Sequence, residues 1–160
     1  MNDVGEVLVN GDRVVMAIND RTVLLVPSRP VGKFTAHTAG SGQEFVKIDG
    51  ALICVDGVET SASAKAVYQS GQFGVPPGIA GTLALRVKRG EISRCDFFTI
   101  NGKAVLWRSG KEVGVDGKVT TKATAPPKSP AAIPEPDQRS HYEGSGDVEQ
   151  SQQAFVTVTF

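Results

Sequence analysis

The stretch Val7-Leu8-Val9-Asn10-Gly11-Asp12-Arg13-Val14-Val15 is met twice more along the chain in altered form. It returns as Val46-Lys47-Ile48-Asp49-Gly50-Ala51-Leu52-Ile53-Cys54, and again as Phe98-Thr99-Ile100-Asn101-Gly102-Lys103-Ala104-Val105-Leu106. Each copy has an apolar alternating run, an Asn-Gly or Asp-Gly dipeptide, and a second apolar run. A type I′ turn needs positive φ at both central residues, which Asn, Asp and Gly tolerate best, so each copy predicts a tight β-hairpin. Gly11, Gly50 and Gly102 are unevenly spaced, so the pattern is not a fixed-period solenoid. It reads as three pseudo-equivalent hairpins about a common axis; the alternative reading is chance recurrence of such turns in an all-β chain. A body built from tight hairpins suits a rigid structural part better than an enzyme.

Alternation with period two dominates, and no long stretch keeps helical spacing. Strands are expected over 7–9, 14–17, 22–26, 45–48, 52–55, 82–87, 97–100, 104–107, 118–121 and 154–160. Asp116-Gly117, between Val113-Gly114-Val115 and Lys118-Val119-Thr120, reads as a fourth, degenerate hairpin. Only Ser61 to Tyr68, with three alanines, offers a short helix, and its serines and flanking glycines oppose it. Pro126-Pro127-Lys128-Ser129-Pro130 through Pro134-Glu135-Pro136 predicts an extended, polyproline-like strap over about 125–137, because proline fixes φ and removes donors. The fold resumes after it: Val156, Val158 and Phe160 alternate with Thr157 and Thr159, and such a closing strand must pair with this chain's sheet or with a neighbouring subunit. The fold class expected is all-β, a compact cone-like assembly of pseudo-repeated hairpins in a single domain over 1–160.

A chain of 160 residues is long enough to bury a sizeable core. Its 18 glycines and 9 prolines fall short of the range that implies disorder. Lys plus Arg and Asp plus Glu are equal at 17 each, so the chain lacks the basic surplus a nucleic-acid binder uses to displace counterions. The start, Met1-Asn2-Asp3, is polar and acidic, unlike a secretory signal. Synthesis in the cytoplasm without a signal peptide is the expectation. Cys54 and Cys95 form no CxxC pair and are expected as reduced, partly buried thiols, with a disulfide as the lesser alternative.

The inventory for chemistry is thin. His37 and His141 are the only histidines, and no Gly-x-Ser-x-Gly elbow is present. Asp49, Asp56, Glu59 and Asp116 are assigned to turns, where Asp is favoured for its own hydrogen bonding. Gly40-Ser41-Gly42 lacks the lysine, hydroxyl and helix of a phosphate loop. His37, Cys54, Cys95 and His141 are the whole supply of soft ligands; two sulfurs and two imidazoles would satisfy zinc, but their spacing shows no paired ligands. No catalytic, cofactor-binding or metal residue is therefore assigned, and no cofactor is expected. Trp107 reads as a packed body, Arg108 and Lys111 as solvated, and Leu85-Arg86-Val87-Lys88-Arg89 as a strand with its basic residues on one face. Two other classes remain open: a carbohydrate- or ligand-binding β-sandwich using Trp107, Tyr68 and Tyr142 for stacking, and a delivered toxin or hydrolase using Cys54 or His37.

These segments resemble the PAAR-like spike-tip proteins of contractile injection systems, which include phage-tail-like particles and type VI secretion machines. The resemblance rests on the repeated apolar-x-apolar-Asn-Gly-x-x-apolar unit. It rests also on Ile48-Asp49-Gly50-Ala51-Leu52-Ile53-Cys54-Val55-Asp56-Gly57-Val58-Glu59-Thr60, similar to the NGKPVCVEGDE type of passage in that group. The order agrees as well, with a Pro-Gly turn before Thr82-Leu83-Ala84-Leu85, then Asn101-Gly102, a Pro-rich stretch and a closing strand. The literal Pro-Ala-Ala-Arg signature is absent, Gly102-Lys103-Ala104-Val105 standing in its place, and the histidines that bind a tip metal in many members are missing. The resemblance thus implies an architecture and a role but no ligand residues. The role is a structural tip that caps a trimeric β-helical spike, one tip per trimer, and leads penetration of a target envelope. Its partners would be that spike, effector cargo and, transiently, a target membrane.

Overall fold

The computed structural model describes residues 4–36, 47–48, 50–130, 132–149 and 157–159. Among them are thirteen β-strands, one turn of 3-10 helix at Val58–Ser61 and no α-helix. The strands are β1 (Val4–Val7), β2 (Arg13–Ile18), β3 (Val23–Val26), β4 (Val31–Lys33), β5 (Lys47–Ile48), β6 (Ala51–Leu52), β7 (Ser63–Ser70), β8 (Gly81–Val87), β9 (Ser93–Ile100), β10 (Lys103–Arg108), β11 (Val113–Thr121), β12 (His141–Val148) and β13 (Thr157–Thr159). The all-β expectation holds.

Seven strands form one antiparallel sheet in the order β3-β7-β8-β11-β12-β2-β4, curled into a half-barrel. Four more form the sheet β13-β1-β10-β9, and β5 with β6 makes a separate hairpin. The inner face of the large sheet carries Met16, Ala66, Tyr68, Leu83, Leu85, Val87, Val113, Val115 and Tyr142, all buried. Alternation accounts for this: along β8 the burial runs inward at Gly81, Leu83, Leu85 and Val87 and outward between them. Arg108, expected to be solvated, instead donates from its Nε to the Val148 carbonyl at 2.8 Å and so ties β10 to the end of β12.

The turns divide the three repeats. Asn101 and Gly102 both have positive φ, at 52° and 77°, and Ile100 faces Lys103 across the turn; this is the predicted type I′ hairpin, joining β9 to β10. Gly50 has φ 80° between the paired residues Ile48 and Ala51, while Asp49 lies outside the described residues. Asn10-Gly11 is not a hairpin. Only Gly11 has positive φ, at 92°, Asp12 N–H donates to the Val9 carbonyl at 3.1 Å, and the two flanks enter different sheets, β1 the small one and β2 the large.

Two further expectations are corrected. Ser61 to Tyr68 is not a helix: β7 covers Ser63–Ser70 and pairs along its length with β8 and, over its second half, with β3. Pairing with β8 overrides the helical leaning of three alanines, of which Ala66 is buried on the inner face. Asp116-Gly117 is not a turn either, since β11 runs through it with Gly117 opposite Leu85 on one side and Tyr142 on the other. A Cβ at Gly117 would stand 3.1 Å from Ile18 Cδ1, so this glycine serves close packing inside the curl. The same reason explains β12, which glycine content disguised. Gly144 and Gly146 face inward, where added Cβ atoms would meet Ala17 O at 2.5 Å and Val14 Cγ2 at 2.7 Å.

The Pro-rich stretch doubles back where an extended strap was expected. Thr124 bridges Pro136, Ala125 N–H donates to Glu135 O at 2.8 Å, and Asp137 N–H donates to Ala123 O at 2.7 Å. At the chain's end β13 pairs with β1 of this same chain, Val4 opposite Thr159 and Glu6 opposite Thr157. The remainder of the predicted closing strand, residues 45 and 46 of the strand expected over 45–48, and the Gly40-Ser41-Gly42 loop lie outside the described residues.

Candidate functional site

Three consecutive apolar triplets meet at the centre of the molecule: Val7-Leu8-Val9, Ile53-Cys54-Val55 and Val105-Leu106-Trp107, all buried. Their backbones close a ring. Leu8 N–H donates to Leu106 O at 3.1 Å, Leu106 N–H donates to Cys54 O at 3.0 Å, and Cys54 N–H donates to Leu8 O at 2.9 Å. Each segment therefore pairs with both of the others. The pairing extends outward through Asn10 N–H to Leu52 O at 2.7 Å, Asp56 N–H to Ala104 O at 2.8 Å, and the contacts Val9 with Ile53, Val55 with Val105 and Val7 with Trp107.

A segment bonded on both edges and covered on both faces carries an unbroken apolar run instead of an alternating one. This is the signal that the alternation reading passed over. The three-way equivalence lies in these triplets, one before its turn and two after, and not in the Asn-Gly hairpins aligned in register.

Polar groups around the junction act as braces. Asp12 is fully buried and accepts Val9 N–H on Oδ2 at 2.9 Å, and Asn10 Oδ1 accepts Ala36 N–H at 2.9 Å. Glu59, also fully buried, accepts Gly57 N–H at 2.8 Å and Gly90 N–H at 3.0 Å on its two oxygens. Such charge-assisted bonds satisfy turn backbone that would otherwise be buried without partners. Gly5 stands against the indole of Trp107; a Cβ there would lie 1.8 Å from Cε3.

A second buried cluster closes the Pro-rich loop. Asp137 Oδ2 accepts Tyr68 Oη–H at 2.8 Å and a short hydrogen bond from Tyr142, while Oδ1 accepts Arg139 N–H at 3.0 Å. The Arg139 guanidinium lies 4.0 Å from the Tyr142 ring centroid, and Ala123 N–H donates to Tyr68 Oη at 3.2 Å. Burial works to raise the Asp137 carboxyl, but the bonds from Tyr142, Arg139 N–H and Tyr68 outweigh it and hold the group below the usual carboxylate range. No pattern in the sequence pairs Asp137 with Tyr68, because the contact spans 69 positions.

Among the described residues, those considered for chemistry are not assembled. Cys54 and Cys95 are free and buried. Burial first, then the neighbouring carboxylates Asp12 and Glu59, push the Cys54 thiol far up, which keeps it protonated and non-nucleophilic. His37 lies outside the described residues. His141 is exposed on the outer face of β12, with Nδ1 3.1 and 3.2 Å from the two oxygens of Asp116, whereas both thiols are buried. Among the described residues no three His, Cys, Asp or Glu side chains come together as a metal site. Tyr68 and Tyr142 are fully buried and Trp107 nearly so, which leaves none of the three rings as a stacking platform for sugar. Of the carboxylates assigned to turns, Asp116 lies in mid-strand and Glu59 in the 3-10 turn.

The arrangement is a mechanical one: three segments of one chain locked edge to edge, with carboxylates tied to backbone and thiols sealed inside. No match was found among curated proteins. A family model described as contractile injection system spike tip protein matches residues 1–159. With nearly the whole chain matched, and with an all-β body of the kind the resemblance implied, the protein belongs to the contractile injection system spike tip family.

Proposed function

We propose that this protein caps the end of a trimeric β-helical spike, one tip per trimer, and leads its entry into the target envelope. The observation that carries the reading is the backbone ring through Leu8, Leu106 and Cys54. A single chain that seats on three identical chains needs a threefold internal frame, and the junction, itself buried and paired on both edges, forms one from three segments of this chain. Membership of the family implies association with the spike or tube of an injection machine; the threefold partner and the capping geometry are the finer proposal. Sheet edges suit the contact, because the outer edges of β9 and β13 terminate the small sheet and a partner's strands can extend it.

The role is structural, with the Cys54 thiol held protonated and sealed. The chain is made in the cytoplasm and leaves on the assembled particle, with effector cargo as a further passenger. Native mass spectrometry of complexes captured with a tagged copy tests this. One copy with three copies of a larger spike subunit is the expected result; a lone monomer from lysate that contains the spike overturns it.

A further inference from the structure

The outer face of the seven-stranded sheet joins an exposed aliphatic patch to a basic row. On edge strand β3, Leu24 and Val26 are 63% and 69% exposed, and Val67, opposite Val26 on β7, is 42% exposed. Val26 and Val67 border a shallow recess of about 410 Å3, lined also by Lys65, Thr82 and Thr120. The next row across the strands reads Lys65, Ala84, Lys118, His141. The small Ala84 between the two lysines floors a second groove of about 310 Å3, lined by Ser63, Lys65, Ala84, Arg86, Asp116 and Lys118. Lys65 belongs to both.

Charge on this face is unbalanced although the chain as a whole is neutral. Glu143 is paired with Lys88 at 2.8 Å, and Asp116 is hydrogen-bonded to His141. Lys65, Arg86 and Lys118 form no ion pair among the described residues.

The geometry points to a binding face for anionic phospholipid bilayers, with Leu24, Val26 and Val67 entering the interface and Lys65, Arg86 and Lys118 meeting the headgroup phosphates. Lysine stems lie along apolar surface and carry their ammonium groups to the polar layer, and basic residues near exposed aliphatics gain from a negative surface potential. A protein partner fits less well, since lysine is depleted in the cores of protein interfaces. The inference does not rest on the spike partnership: its test uses the isolated full chain, so either can fail alone.

The experiment is flotation of the purified chain with vesicles of phosphatidylglycerol and phosphatidylcholine, against vesicles of phosphatidylcholine alone. Selective flotation with the anionic vesicles is expected, weakening as salt rises. The variant carrying Lys65→Gln and Lys118→Gln should lose about thirtyfold in partitioning, from roughly one favourable charge contact per lysine. Leu24→Ser with Val26→Ser should lose at least about tenfold. All four side chains are exposed, and an unchanged melting temperature checks that the variants are folded. Absence of flotation, equal flotation with neutral vesicles, or partitioning indifferent to these substitutions overturns the proposal. So does capture by soluble polyglutamate with the same dependence on Lys65 and Lys118, which would assign the face to an acidic protein.

Discussion

At Gly5 the chain passes so close to Trp107 that even a methyl group has no room. Gly5→Ala should lower stability by about 2 kcal/mol through overpacking, read as a reduced denaturant midpoint with unchanged slope. Asp137 is the other residue on which much depends. Its carboxyl titrates below its unfolded value, so the stabilisation it provides is complete above a pH of about 4 and is lost as pH falls through the depressed folded value. Denaturant titrations should therefore give constant Asp137-dependent stability between about pH 7 and 5 and a decline below about pH 4. Asp137→Asn should abolish that acid-side difference and cost about 2 kcal/mol at neutral pH, because Tyr68 and Tyr142 lose a charged acceptor. Glycine at position 5 and aspartate at 137 are plain in the sequence, but Gly5 answers to Trp107 about a hundred positions away, and Asp137 joins its local partners Arg139 and Tyr142 to Tyr68 about seventy positions away.

Among the elements, the β9–β10 hairpin takes its turn from two adjacent residues, Asn101 and Gly102. Asn101 holds φ 52°, a conformation that Asn tolerates and most residues resist, so Asn101→Val should destabilise by about 1 kcal/mol. Chemical denaturation of the variant against the wild type measures it. Gly11 and Gly50 also keep positive φ, yet only the second turn, like that at Asn101-Gly102, connects paired strands. The dipeptide specifies that the chain turns; it does not specify that the strands on either side pair with each other. β7 and β11 make the complementary point. Ala-rich Ser63–Ser70 and the Asp116-Gly117 dipeptide have local preferences for helix and turn, and both are overridden by cross-strand pairing, with β8 at the alanines and with β8 and β12 at Asp116-Gly117.

For the whole molecule, the junction should be the last part to open. Amides of Leu8, Cys54 and Leu106 should exchange with solvent deuterium only through global unfolding, whereas those of edge strand β13 exchange sooner. Residue-resolved hydrogen exchange under native conditions distinguishes the two. Leu106→Ala, which leaves a cavity at a fully buried leucine of the junction, should cost about 3 kcal/mol, within the range for buried leucines. Cys54 and Cys95 should resist thiol reagents until the same global transition, since both are buried and Cys54 is held protonated.

The residues alone determine the all-β class, the two-residue turns at Gly50 and Asn101-Gly102, the inward face of strands such as β8, and the resemblance to a spike tip. These depend on period-two alternation and on φ preferences within four residues, which are short-range physics. The tertiary structure alone decides which strand lies beside which: that the flanks of Asn10-Gly11 part into two sheets, that β12 takes a central place despite its glycines, and that Val7-Leu8-Val9, Ile53-Cys54-Val55 and Val105-Leu106-Trp107 close into a ring. Alternation states which way a side chain points but is silent on its neighbour. The neighbour is settled by burying apolar surface across segments far apart in the chain, where every backbone group must find a partner at once.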